Sequence, residues 1–296
     1  MGEIAGGNID ARVEGITTRD ELGRLASAFN GMAGRLREHI DRLAEEQATR
    51  QKIEHDLSIA RNIQQGLLPN SVPTLQGYEL SGWSRPADET GGDYYDWQML
   101  PNGHLAVTLA DVTGHGIGPA LVTAVCRAYA RASFPSETDI GPALDRINRL
   151  LCEDLRNERF VTFVVALVDP AKHCIRLLSA GHGPLFYYEA GADRVRQFDA
   201  HDIPMGLSPD VKHGPPSEFH PGPGDALVLI TDGFFEWANP GGEQYGVKRL
   251  AEAIRNSHAL PPAQIIENLV RNVEDFTAGS KQPDDLTAVV LKRVKV

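Results

Sequence analysis

Cysteine is scarce. Cys126, Cys152 and Cys174 are the only three in 296 residues, and no two form a CxxC pair. That excludes a disulfide framework, and the three read as small apolar residues of a reducing compartment. Basic charge is in deficit: Lys and Arg total 29 against 40 Asp and Glu, a formal net charge of −11. Nucleic acid is thereby excluded as the main partner, because a phosphate backbone needs a basic face. Long apolar runs are missing as well. The longest, Phe160–Val168, has strand length, well short of the ~18–20 residues a membrane helix needs. No signal-peptide pattern, internal repeat or low-complexity tract is visible. The chain reads as soluble and cytoplasmic, without membrane contact of its own.

What is present is acid in four places. These are Gly91-Gly92-Asp93-Tyr94-Tyr95-Asp96, Asp111-Val112-Thr113-Gly114-His115-Gly116, Thr231-Asp232-Gly233 and Asp284-Asp285-Leu286-Thr287. Three of them abut buried-strand patterns: His104–Ala110 leads into Asp111, Asp225–Ile230 leads into Asp232, and Asp285 opens Leu286–Val294. An unpaired carboxylate at the end of a buried strand is disfavoured by desolvation. Convergence on a cation resolves several such ends at once. Carboxylates without a His pair or Cys suit a hard ion, Mg²⁺ or Mn²⁺, better than zinc. Two such ions about 3.5–4 Å apart would clamp a phosphoryl displacement, and the carboxylate able to bridge them is Asp111. Each motif alone is weak, since an Asp-Gly is usually a turn; the combination is specific.

The first 68 residues differ from the rest. Thr18-Arg19-Asp20-Glu21 offers a helix cap with acids in the first turn. Leu22, Leu25, Phe29, Met32, Leu36, Ile40 and Leu43 then recur at coiled-coil spacing, with a stutter-like step at Leu36–Ile40. Ala44–Gln51 is nearly all polar, periodicity resumes at Ile53, Leu57, Ala60 and Leu67, and Pro69 ends the helix. A helix of nearly fifty residues predicts a parallel homodimer. From Tyr78 onward strands come in successive runs with helices in pairs between them. The strands are Tyr78–Trp83, His104–Asp111, Phe160–Asp169, Cys174–Ser179, Pro184–Tyr188, Ala226–Thr231 and Leu286–Val294, and the helices Gly118–Ser133, Ile140–Arg156, Val247–Ser257 and Pro262–Ala278. That order predicts an α+β fold with a mostly antiparallel sheet or sandwich.

Two resemblances join this reading. Gly7-Asn8-Ile9-Asp10-Ala11-Arg12-Val13, Asp20-Glu21-Leu22-Gly23-Arg24-Leu25 and Phe29-Asn30-Gly31-Met32 resemble the distal half of a HAMP signalling module. Its first helix is missing, which implies a piece of a longer, membrane-anchored sensor or a degenerate module. The four acidic motifs, the extension Ile117-Gly118-Pro119-Ala120-Leu121 and Ser179-Ala180-Gly181-His182-Gly183-Pro184 resemble the SpoIIE/RsbU-type branch of the PPM metal-dependent serine/threonine phosphatases. Ala60–Pro69 resembles that family's entry segment. The implied fold is a central antiparallel β-sandwich flanked by helical pairs, over about residues 75–296. The implied domains are 1–43 (partial HAMP), 44–74 (helical linker and switch) and 75–296 (phosphatase). Asp111 would be shared by two ions, Val112 would offer its carbonyl, Asp93 would hold the second ion directly or through water, and Asp232 and Asp284 would hold the first. The implied reaction is hydrolysis of phosphoserine or phosphothreonine on a protein by a water bridging the ions. The commonest substrates of such enzymes are STAS-domain anti-anti-sigma proteins of partner-switching pathways. A change of coiled-coil register would act through Ile59–Leu68 on metal occupancy.

Some residues keep two readings. His115 either touches phosphate or packs in its turn. His182 is a sheet-end residue or a general acid. Arg85 is a surface ion pair or a phosphate clamp. Asp96 and Asp285 read as support, and Phe234–Gly246 as a long loop shaping the substrate surface. The rival functions are a non-catalytic scaffold of the same fold, a diguanylate cyclase carrying the Gly91-Gly92-Asp93 loop, and a kinase fragment behind the HAMP segment. Tyr94 stands where the cyclase needs an acid, and the kinase's Gly-rich boxes are absent.

Overall fold

A computed structural model describes residues 12–14, 16, 20–114, 116–136, 139–155 and 159–294. Residues 7–11 of the HAMP-like pattern, Thr18, Arg19 and His115 lie outside the described residues. The chain forms two compact units, Met1–Ile59 and Ala60–Val296. One helix, α1 (Glu21–Leu67), runs through the boundary. In the first unit Asp20 caps α1, its carboxylate accepting the backbone N–H groups of Leu22 and Gly23. The Asn30 amide pairs both ways with the Val13 backbone, at 2.9 and 3.0 Å. Gly23, Ala26 and Ala33 are the buried positions of α1. The leucine seam faces outward: Leu22, Leu25, Met32, Leu36, Ile40 and Leu43 are 38–62% exposed.

The second unit is a sandwich of two five-stranded antiparallel sheets. Its strands are β1 (Tyr78–Arg85), β2 (Asp93–Met99), β3 (Leu105–Val112), β4 (Val161–Asp169), β5 (Cys174–Ala180), β6 (Leu185–Glu189), β7 (Arg194–Phe198), β8 (Ser217–Phe219), β9 (Ala226–Ile230) and β10 (Leu286–Arg293). One sheet runs β1-β10-β9-β6-β7 and the other β2-β3-β4-β5-β8. Strands point alternate side chains to opposite faces. Thus Val164, Ala166 and Val168 of β4 enter the core between the sheets, while Phe163, Val165 and Leu167 enter a second core. Helices α2 (Ile117–Ser133) and α3 (Ile140–Leu155) close that second core. Helices α5 (Gly246–Ser257) and α6 (Pro262–Thr277) close a third over the other sheet, after a single turn α4 (Gly233–Glu236). Both faces of each central strand are therefore covered, which is why they read as mostly apolar runs. The expected sandwich flanked by helical pairs is the one observed.

Two expectations need correction. Asp93–Met99 forms β2, and β7 and β8 add two edge strands; none of the three was among the strands expected from the sequence. In the segment after Asp232, Phe234, Trp237 and Tyr245 are buried in the third core. Those aromatics pack the domain, while residues 240–244 of the segment are exposed. Among the described residues no helix is long and apolar enough to cross a membrane.

Candidate metal-dependent phosphatase site

Antiparallel pairing brings the acidic motifs to one end of the sandwich. Asp93 opens β2 directly opposite Asp111 near the end of β3. In the other sheet, Ala288 of β10 pairs with Ile230, the last residue of β9, so the Asp284-Asp285 turn and Asp232 meet. Contacts between the sheets lock the two halves. Thr231 Oγ1 donates to Asp93 Oδ2 at 2.8 Å. Asp285 accepts three backbone N–H groups, from Ala87 (2.7 Å), Gly92 (2.6 Å) and Asp93 (3.2 Å). Two glycines are needed for this approach. A Cβ on Gly92 would lie 2.5 Å from the Val112 carbonyl oxygen, and one on Gly233 2.1 Å from the Asp285 carbonyl oxygen.

Burial grades the acids. Asp93 and Asp285 are buried, Asp111 and Asp232 half-buried, and Asp284 exposed at the mouth. Burial, then the Asp232, Asp284 and Asp285 charges, push Asp111 up to about 7. Burial with Asp284 and Glu236 pushes Asp232 up to about 6. Asp93 is raised well above the carboxylate range by burial, then by Asp111 and Asp285. Asp285 is raised by burial, against its three N–H donors. Every charged group acting on Asp111 is another carboxylate. Among the described residues no three of these oxygens lie within 4.8 Å of one another.

The other flagged residues separate cleanly. His182 is buried and spans the two sheets: its Nε2 lies 3.1 Å from the Ile230 carbonyl and its Nδ1 3.1 Å from Thr162 Oγ1. A carbonyl only accepts, so Nε2 carries the proton and Nδ1 accepts from the hydroxyl. Burial lowers this ring to about 4. It ties the ends of the two sheets together. Arg85 is engaged by Gln282 (2.8 Å) and Glu274 (2.6 Å) and stacks near Trp83 and Trp237, which is the ion-pair reading. The cation beside the Asp111 turn is Arg159, which donates to the Thr113 carbonyl at 3.0 Å.

Asp96 faces away from the other acids, toward α2, and binds Arg131 (2.5 and 2.8 Å) and Arg127 (3.1 Å). Asp96→Ala leaves two guanidiniums facing a buried gap. Because both arginines are partly exposed, the expected loss is about 2 kcal/mol, or roughly 4–8 °C in Tm. Turnover per folded molecule should stay at the wild-type value, as calorimetry plus active-fraction assays would measure.

Sequence reasoning missed Gln64. Its amide clamps the Gly91 peptide from the end of α1: Nε2 donates to the Gly91 carbonyl at 2.6 Å and Oε1 accepts its N–H at 3.1 Å. One polar residue in a polar stretch carries no signal of a partner 27 positions away. Thr231, which binds Asp93, sat in plain view beside Asp232.

Comparison with known proteins bears on the family and the fold. The family model described as Stage II sporulation protein E (SpoIIE) matches residues 101–294, and a HAMP domain model matches residues 1–38. The phosphoserine phosphatase RsbU of Bacillus subtilis (strain 168) is 31% identical over 247 residues, 82% of this chain and 71% of that protein. Protein IcfG of Synechocystis is 26% identical over 98% of this chain, which spans only 49% of it. Among solved structures, the SiaA-PP2C domain of Pseudomonas aeruginosa aligns with a TM-score of 0.74 at 23% identity, covering 84% of this chain and 99% of that one. The chain belongs to the SpoIIE family of serine/threonine protein phosphatases, behind a HAMP-like segment.

Proposed function

We propose that this chain removes phosphate from phosphoserine or phosphothreonine on a signalling protein, a STAS-domain anti-anti-sigma factor of a partner-switching pathway. Two divalent cations, Mn²⁺ or Mg²⁺, would serve it. The observation that carries this reading is a half-buried knot of carboxylates in which every charge acting on Asp111 is negative. Such a knot asks for an external cation, and an all-oxygen donor set suits a hard one. Asp111 would be shared, with Asp232 and Asp284 on one ion, and Asp93 and the Val112 carbonyl completing the set. The wide spacing of the oxygens leaves coordination positions for water, as Mg²⁺ prefers. When bound, the ions would supply charge neutralisation of the phosphoryl group and an acidified water. The protein's part is positional. Asp285 fixes the Gly91–Asp93 loop, Thr231 orients Asp93, and His182 holds the ends of both sheets together. Release of inorganic phosphate from a serine-phosphorylated STAS-domain protein, with Mn²⁺ or Mg²⁺, tests the reading. No release with either ion, or release that persists in Asp111→Asn, would sink it.

The outward leucine seam of α1 supports a parallel homodimer as the regulatory input. Gln64 offers the route, since it sits on the last turns of that helix and holds the peptide two residues before Asp93. Gln64→Ala should raise the Mn²⁺ concentration for half-maximal activity about 5–30-fold, from two lost hydrogen bonds of about 0.5–1 kcal/mol each. Turnover at saturating Mn²⁺ should change far less. A metal titration of activity reads both, and an unchanged Mn²⁺ requirement would remove Gln64 from the route.

A further inference from the structure

A second cluster of metal-ligating side chains lies at the other end of β5. Strands β5 and β8 pair with Ile175 opposite Phe219 and Arg176 opposite Glu218. One more step of that register sets His220 opposite Cys174. Alternation then puts Cys174, Glu218 and His220 on one face of the ribbon. The Cys174 sulfur, a Glu218 carboxylate oxygen and a His220 ring nitrogen all lie within 4.8 Å of one another. Among the described residues no other group of three such donors is this close. Glu218 Oε1 already touches His220 Nε2 at 3.0 Å. Cys174 is buried while Glu218 and His220 are exposed, so an ion has both an anchored ligand and an open approach.

The donor types differ in kind from those of the catalytic end. A thiolate, an imidazole and one carboxylate form a borderline-soft set, which selects Zn²⁺ over Mg²⁺ or Mn²⁺. We propose that Cys174, Glu218 and His220 form a binding site for a zinc-class divalent cation, with water in the fourth position, separate from the phosphatase acids. Binding replaces the S–H bond of Cys174 with a sulfur–metal bond and releases one proton to solvent; nothing is oxidised or reduced. Burial and the Glu218 charge hold the free thiol protonated, so the metal must displace that proton. The bound ion would clip β8, only three residues long, to β5. It would thereby anchor one end of the 199–216 segment. The other end of that segment reaches the catalytic end, where the Asp202 carbonyl accepts the Gly181 N–H at 2.7 Å and Met205 pairs with Val161.

The test is a Co²⁺ titration of the full chain held in excess Mg²⁺ and a non-thiol reductant, followed by absorption. The expected result is a thiolate-to-cobalt charge-transfer band that saturates at one ion per chain and is abolished by equimolar Zn²⁺. Cys174→Ser should lose the band, and His220→Ala should weaken Co²⁺ binding by about tenfold or more. Asp111→Asn, Cys126→Ser and Cys152→Ser should keep it. Retained phosphatase activity in Cys174→Ser separates loss of the site from loss of the fold. Should that variant not fold, persistence of the band in the other two Cys→Ser variants locates the thiolate by difference. No charge-transfer band in the wild-type chain, or one that survives Cys174→Ser, overturns the proposal. The charge-transfer band does not depend on turnover at the phosphatase site.

Discussion

Asp111→Asn is expected to lower metal-dependent phosphatase turnover by about 10³-fold or more while leaving the sandwich folded. Asn keeps the volume of the side chain and removes its charge. The charge matters because Asp111 is the acid that links the others: Asp232, Asp284 and Asp285 act on it, and it acts in turn on Asp93. A neutral group there withdraws the one carboxylate positioned between the two sheets' proposed ligand sets. Bound ions of this type supply several kcal/mol of charge stabilisation, and a loss of about 4 kcal/mol is about a thousandfold in rate. Asp232→Asn should approach the same loss. Steady-state hydrolysis of a generic phosphomonoester across a Mn²⁺ titration measures the effect, with circular dichroism reporting the fold. Turnover within tenfold of wild type in both variants would contradict a two-ion site centred on Asp111.

Much of the architecture was legible because it is written in burial. β3, β4, β9 and β10 are covered on both faces, so their sequences are mostly apolar runs that need no partner to be recognised. β2 was not legible for the opposite reason. Its seven residues include Asp93 and Asp96, which depress strand propensity. The side-chain partners of each are distant, Thr231 in one case and Arg127 with Arg131 in the other, and the one local donor is the Trp97 N–H on Asp96. The edge strands β7 and β8 are too polar or too short to carry a period-two signal.

The site divides along the same line. Acids at strand ends announce themselves by the desolvation they would suffer, so Asp111, Asp232 and Asp285 stood out by position, and the ligand roles of Asp93, Asp284 and Val112 came from the resemblance. What orders these acids was not legible. Asp285 read only as support, yet its three N–H acceptances shape the Gly91–Asp93 loop. His182 read as a sheet-end residue, and its place between Thr162 and Ile230 needed both sheets in register. Positioning by hydrogen bonds across 27 to 198 residues leaves no local pattern.

The same charge knot makes the metal-free protein less stable than it need be, and Asp111→Asn should expose this. In the folded chain Asp111 titrates at about 7, against about 3.9 for an unfolded aspartate. A carboxyl with a raised folded pKa binds its proton more tightly in the native state, so it costs nothing below pH ~4. As pH rises toward 7 the unfolded state ionises first, and native stability falls by about 1.4 kcal/mol per pH unit. His182, lowered to about 4, pulls the other way up to its unfolded value, but it does so equally in wild type and variant. The difference between the two proteins therefore reports Asp111 together with the rise its charge causes at Asp93. With metal stripped by EDTA, the Asp111→Asn chain should melt above wild type at pH 8. The gap should shrink by about 3 kcal/mol, roughly 5–10 °C, between pH 7 and pH 5. Saturating Mn²⁺ should reverse the order, because only the wild-type chain gains binding energy from the ions. A gap that stays constant with pH, or a wild-type chain that is the more stable of the two at pH 8 without metal, would mean that Asp111 is not held against like charge in the folded state.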